Sequence, residues 1–163
     1  MSLSFSADSP HAKTLLEWFE DLRDNRGDRA ALRRCHQPLE VLFVPAYHHL
    51  YQKLRQHGDL QPGRLPVVAG LLAHVKQHQG RHNLAQQMAI PEQGASKPPV
   101  SELRFRRLLQ TGSDDELFAD LRRMLELLEG TANIFSLAND VYFWGDKVRR
   151  SWAYDYFGAP TTQ

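Results

Sequence analysis

Residues 133–157, NIFSLANDVYFWGDKVRRSWAYDYF, constrain the fold more than any other stretch of the chain. At 100° per residue, with Leu137 at zero, Val141, Trp144, Val148, Trp152 and Tyr156 fall within about 120° of one another. That is the core stripe of one amphipathic helix, and it buries two tryptophans. Asn139, Asp140, Asp146, Lys147 and Arg150 take the opposite side, with Arg149 on the flank. Such a helix is a rigid mount for something anionic, and nothing in it resembles a catalytic apparatus.

The same period recurs upstream. Ser9-Pro10 reads as a helix start, with serine as N-cap and proline at the first helical position. Ala12, Leu15, Leu16, Phe19 and Leu22 follow at helical spacing up to a stop at Gly27. Asp28 is then an N-cap for a short helix over 29–36, with Leu32 inward and Arg29 and Arg33 on one face. Pro38, the apolar run 39–44 and Pro45 lead to a helix ending at Gly58. Pro66 opens another, with Val67, Val68, Leu71, Leu72 and Val75 inward, running to about Gly80. Residues 83–99 are polar and rich in breakers, which predicts a mobile connecting loop with at most one helical turn after Asn83.

Beyond it, residues 100–110 form a helix with arginines between Leu103, Phe105, Leu108 and Leu109. Ser113 and Glu116 form a capping box. The helix behind it carries Leu117, Phe118, Leu121, Met124, Leu125 and Leu128 on one side. No strand alternation, repeat or low-complexity tract interrupts this pattern. The expectation is an all-α, single-domain chain over 1–163, a compact bundle of six to seven helices in two lobes. The N-terminal lobe covers about 9–82, the connecting loop about 83–99 and the C-terminal helical lobe about 100–157.

No apolar run approaches the ~20 residues that span a bilayer. The opening residues 1–6 lack the basic and apolar regions of a secretory signal, and one cysteine, Cys35, fits a reducing compartment. A cytoplasmic location is therefore expected. Net charge is only +1, yet residues 29–81 hold eight Lys/Arg against two acids. That asymmetry favours an anionic partner, nucleic acid above all.

Enzymatic motifs are absent. The chain has no GxxxxGK[ST] phosphate loop, no GxSxG elbow and no CxxC pair. His74, His78 and His82 stand four apart, which is metal-ligand spacing on an unbroken helix, but Gly80 interrupts it and no acid or cysteine completes a site. His74 and His78 read instead as edge residues of the apolar stripe. No metal and no cofactor is expected. Asp114, Asp115 and Glu116 are explained by capping, and Asp140 and Asp146 by ion pairing beside Lys147 and Arg150. The basic clusters remain: Arg33/Arg34, Arg104/Arg106/Arg107, Arg122/Arg123 and Lys147/Arg149/Arg150, from four helices. Phosphate contacts need long cationic side chains along a groove and no fixed spacing. Phe143, on the polar side of the last helix, either stacks on a base or packs against a partner.

Taken in order, Leu32-Arg33-Arg34, the step from Pro45 to Leu50, Arg104-Phe105-Arg106-Arg107-Leu108-Leu109, Leu121-Arg122-Arg123 and the ending from Leu137 to Phe157 resemble the CasB family. This is the small subunit of the type I-E CRISPR Cascade complex. The resemblance implies a non-catalytic helical subunit that sits as a head-to-tail pair among the other Cascade subunits. It implies contacts with the guide RNA–target DNA assembly and the displaced strand. The basic residues it carries over are Arg33, Arg34, Arg104, Arg107, Arg122, Arg123, Lys147, Arg149 and Arg150. Where strand exchange is near balance, a few backbone contacts decide whether the displaced strand stays open. Two other readings stand beside it: a structural spacer whose basic faces meet protein neighbours, and a metal-dependent nuclease.

Overall fold

The computed structural model describes residues 3–160; of the opening residues 1–6 read for a signal, Met1 and Ser2 lie outside them. Among the described residues the chain is about 60% helical, with ten helices. These are α1 (Pro10–Asp24), α2 (Arg26–Arg33), α3 (Pro38–Val41), α4 (Pro45–Arg55), α5 (Leu65–Leu72), α6 (Leu84–Ala89), α7 (Glu102–Leu109), α8 (Asp114–Leu127), α9 (Ile134–Tyr142) and α10 (Asp146–Phe157). The helical class is as read, and the count of six to seven is not. Short helices at α3 and α6, and a break in the last segment, make up the difference.

Local chemistry sets most of the boundaries. Ser9 caps α1 by accepting from the Ala12 N–H at 3.0 Å, with Pro10 at the first position. The junction with α2 lies earlier than expected. Asn25, not Asp28, is the cap, accepting from the Asp28 N–H at 3.1 Å, and Gly27 sits inside α2. Ser113 caps α8 through the Glu116 N–H, but the reciprocal bond goes to Gly112, whose N–H donates to Glu116 Oε2 at 3.0 Å.

α5 is buried along its whole length and packs against α2, α3, α4, α8 and α9. Gly70 permits the closest of these approaches. A Cβ there would stand 2.9 Å from the Phe118 ring of α8 and 3.1 Å from Val41 Cγ2 of α3. One connected apolar core runs from Phe5 through α5 to Tyr156, so α5 packs against helices on both sides of residues 83–99. Within that stretch Leu84, Ala85 and Met88 are buried as the inner face of α6, which packs on α10.

α5 ends at Leu72 rather than near Gly80. The chain then extends, and residues 77–78 (β1) pair in parallel with residues 131–132 (β2). Gly130, at φ 79°, makes the left-handed turn that brings β2 alongside. The four-residue spacing of His74, His78 and His82 is therefore not realised on a helix. His78 instead accepts from the Ile134 N–H through Nδ1 at 3.1 Å.

The segment 133–157 is two helices, not one. Between α9 and α10 the chain opens at residues 143–145, where Trp144 C=O accepts from Arg64 Nη1 at 3.0 Å. The tryptophans still reach the core, meeting edge to face with centroids 5.0 Å apart. Asp140 is not on the solvent side: it accepts from Trp152 Nε1 at 2.7 Å and from Ser136 Oγ at 3.4 Å. Burial pushes its carboxyl up, and those two hydrogen bonds hold it down.

Candidate nucleic-acid interface

α2 buries Leu32 and sends Arg33 and Arg34 outward. α8 buries Leu121, Met124 and Leu125, which leaves Arg123 exposed and Arg122 half-buried at the edge. Since α2 and α8 both flank α5, the two edges face each other across its C-terminal end. Arg33, Arg122 and Arg123 line one open cleft of about 600 Å³ together with His74, Lys76, Glu126 and Glu129. Four cations from positions 33, 76, 122 and 123 thus converge on one site. Among the described residues none of these cations lies within 4.0 Å of a carboxylate, Glu126 and Glu129 included. The helical pairing of Arg122 or Arg123 with those glutamates does not form.

Arg122 is held rather than loose. Its guanidinium lies 5.6 Å from the Phe118 ring centroid, and Nη1 is 3.4 Å from His36 Nδ1. Its Nε is shielded from solvent and has no partner. Arg34 lies just outside the cleft, where it and Arg122 draw the Cys35 thiol down against burial and Glu40, which prevail and push it up. Arg29 lies behind His74 and outside the lining, its Nε donating to Ala73 C=O at 3.1 Å and its charge acting on His74.

Lys76 and His74 were not selected from sequence. Local pattern marked His74 only for its histidine spacing and Lys76 only as part of the basic excess, because their place in the cleft depends on α5 ending early and on the β1–β2 pairing. Arg29 was legible in part, being four residues before Arg33 on the same face.

The remaining cations lie elsewhere. Arg104 and Arg107 are exposed on α7, whose inner face stacks Phe105 on Tyr156 with centroids 4.0 Å apart. Lys147 and Arg150 are exposed on the first turns of α10, where cations oppose the positive end of the helix dipole. Arg149 between them turns inward. Its Nη2 donates to Thr111 C=O at 3.0 Å, Nη1 lies 3.2 Å from Asp146, and the guanidinium covers Trp144 at 5.6 Å. It ties α10 to the end of α7. Phe143 is 46% exposed and meets Tyr142 edge to face.

Among the described residues no group of three or more His, Cys, Asp or Glu could hold a metal ion, and no helix is long and apolar enough to cross a membrane.

The family model described as CRISPR-associated protein Cse2 matches residues 28–157. In structure the chain is similar to a chain of E. coli Cascade bound to a PAM-containing dsDNA target, with a TM-score of 0.71 at 21% identity, covering 87% of this chain and 93% of that one. It is also similar to CasB from Thermus thermophilus, with a TM-score of 0.67 at 26% identity, covering 93% and 99%. A second Thermus thermophilus structure, of a CRISPR-associated protein of the Cse2 family, gives a TM-score of 0.65 at 27% identity, with the same coverage. No curated protein matches the chain significantly in sequence.

Proposed function

The chain belongs to the Cse2 (CasB) family, the non-catalytic small subunit of type I-E Cascade, and from that premise we propose that it grips nucleic-acid backbone in the cleft between α2, the end of α5 and α8. One observation carries this reading: Arg33, Lys76, Arg122 and Arg123 converge on one cleft with no carboxylate in ion-pair range. Four cations against the two carboxylates of Glu126 and Glu129, neither of them in ion-pair range, leave the cleft a net positive charge that an anionic ligand relieves. The contacts are to phosphate and read no sequence. In the assembled complex they favour the guide RNA–target DNA state and hold the displaced strand, with Arg34, Arg104, Arg107, Lys147 and Arg150 extending the basic path. The E. coli chain of similar fold belongs to a Cascade bound to dsDNA, which supports the setting.

Protein neighbours take other surfaces. Phe43 is 75% exposed beside Leu39 and Leu42, and Tyr154 is 81% exposed near Phe157. Apolar side chains left out in this way suit contacts with other Cascade subunits and a second copy of the chain, arranged head to tail.

The test is the salt dependence of binding to single-stranded oligonucleotides. Exchanging Arg33, Arg122 and Arg123 together for glutamine removes three phosphate contacts, so the slope of log affinity against log salt should fall by about 2. An unchanged slope, with loss of complex assembly instead, supports the spacer reading in which these faces meet protein.

A further inference from the structure

The floor of the cleft holds a group that a purely cationic grip does not explain. His74 follows the end of α5, its N–H donating to Leu71 C=O at 2.9 Å. Its Nε2 is shielded from solvent and meets no partner, as does Arg122 Nε. Two buried nitrogens without a partner belong to residues lining one cleft, where buried polar groups are normally satisfied, and a protonated His74 would there need an acceptor. Charged and titratable groups face His74 from every side. α2 presents Arg29 and Arg33, α8 presents Arg122, Arg123 and Glu126, and the turn after α8 presents Glu129; Lys76 lies two residues beyond, with His36 against Arg122. Burial first, then Arg122, Arg33 and Arg29, push the imidazole down to about 4. Without a bound anion it is neutral at pH 7.

We propose that this cleft is a phosphate notch, in which Arg33, Lys76, Arg122 and Arg123 line a run of backbone phosphates and His74 becomes a charged hydrogen-bond donor to one of them as the pH falls. The proposal rests on the nucleic-acid reading above and adds a defined subsite and a proton linkage to it. An anion seated among the arginines offsets the part of the depression that Arg122, Arg33 and Arg29 add to burial, so binding raises the proton affinity of His74. By linkage, protons then tighten binding. A full return of His74 from about 4 to its ordinary 6.5 would give an affinity gain of about tenfold between pH 8 and pH 5.5, and because burial persists that figure is the ceiling.

The experiment uses the full chain and a labelled oligothymidylate at pH 8 and pH 5.5, at fixed ionic strength. Wild type should tighten measurably, by up to about tenfold. His74→Gln should lose most of the gain between the two pH values, while His49→Gln, exposed on α4 and outside the cleft lining, should behave as wild type. An equal gain in wild type and His74→Gln overturns the proposal. A parallel titration of the His74 imidazole by NMR, with and without inorganic phosphate, covers a variant that fails to fold. An upward shift with phosphate upholds the notch and no shift overturns it. Should the oligothymidylate bind at neither pH while phosphate shifts His74, the notch stands as a site for free phosphate and the nucleic-acid reading falls.

Discussion

Arg149 and Arg150 are adjacent in sequence, and replacing each with alanine should give opposite phenotypes. Arg149 donates a charge-assisted bond to Thr111 C=O at 3.0 Å and covers buried Trp144 at 5.6 Å. The first is worth roughly 1.5–3 kcal/mol and the second roughly 0.5–1 kcal/mol. Its ion pair with Asp146, a side chain 83% exposed, adds close to nothing. The contributions overlap and Arg149 is itself 31% exposed, so about 2 kcal/mol is the working figure. For a chain of this size that lowers Tm by roughly 4–8 °C. Arg150, exposed and without a partner among the described residues, should leave Tm within about 1 °C. It should instead lower the log–log salt slope of single-strand binding by about 0.7. Thermal melts and salt titrations on both variants decide the matter. Equal Tm for the two, or a salt slope moved only by Arg149→Ala, would refute the assignment of Arg149 to structure and Arg150 to ligand.

Two further outcomes follow from buried titratable groups. His74 is held below its ordinary value by burial and by the arginines, so the unfolded chain takes up a proton first. Stability is then full above about pH 6.5, declines as the pH falls toward about 4 and levels off below. Solvent screening trims this to about 1–2 kcal/mol. His11 and His78, also held down by burial, act in the same direction. Urea midpoints across that range should show the decline, and a smaller one for His74→Gln. Asp140→Asn keeps an acceptor for Trp152 Nε1 and removes a charge that burial disfavours, so its stability at pH 7 should match or exceed wild type. Asp140→Ala orphans the indole N–H and should cost about 1–3 kcal/mol, read by tryptophan fluorescence in urea.

The sequence carried the helical class because buried stripes at helical period are local facts. The boundaries it missed are those decided by distant partners. Gly145 looked tolerable inside a helix whose stripe ran on through Trp144 and Val148, yet Arg64, some eighty residues upstream, captures the Trp144 carbonyl and the chain opens there. The stripe survived the break because the two tryptophans meet across it. Val75 prolonged the apolar spacing of α5, but residues 77–78 had a pairing partner in residues 131–132 that periodicity cannot show. The candidate cations divide along the same line. Outward positions of α2, α7 and α8 could be read from each helix alone. Which arginines share a cleft, that Lys76 and His74 join it, and that Arg149 turns away from solvent all depend on how helices meet. Arg149 and Arg150 differ by 100° on one helix, and only the position of Thr111 separates their roles.

The opening between α9 and α10 has an evolutionary consequence. A continuous helix would lock the bearing of Lys147 and Arg150 to that of Leu137 and Val141. As built, the bearing of α10 is set by its packing on α6 and on Phe105 and by side-chain contacts to its own neighbours: the paired tryptophans, Asp140 with Trp152, and Arg149 with Thr111. A change at Phe143 or Gly145 therefore alters the joint while Trp144, buried against Trp152, keeps the core. Under the proposed grip on nucleic acid, a relative with a different residue at either position would aim Lys147 and Arg150 along a different course of the strand.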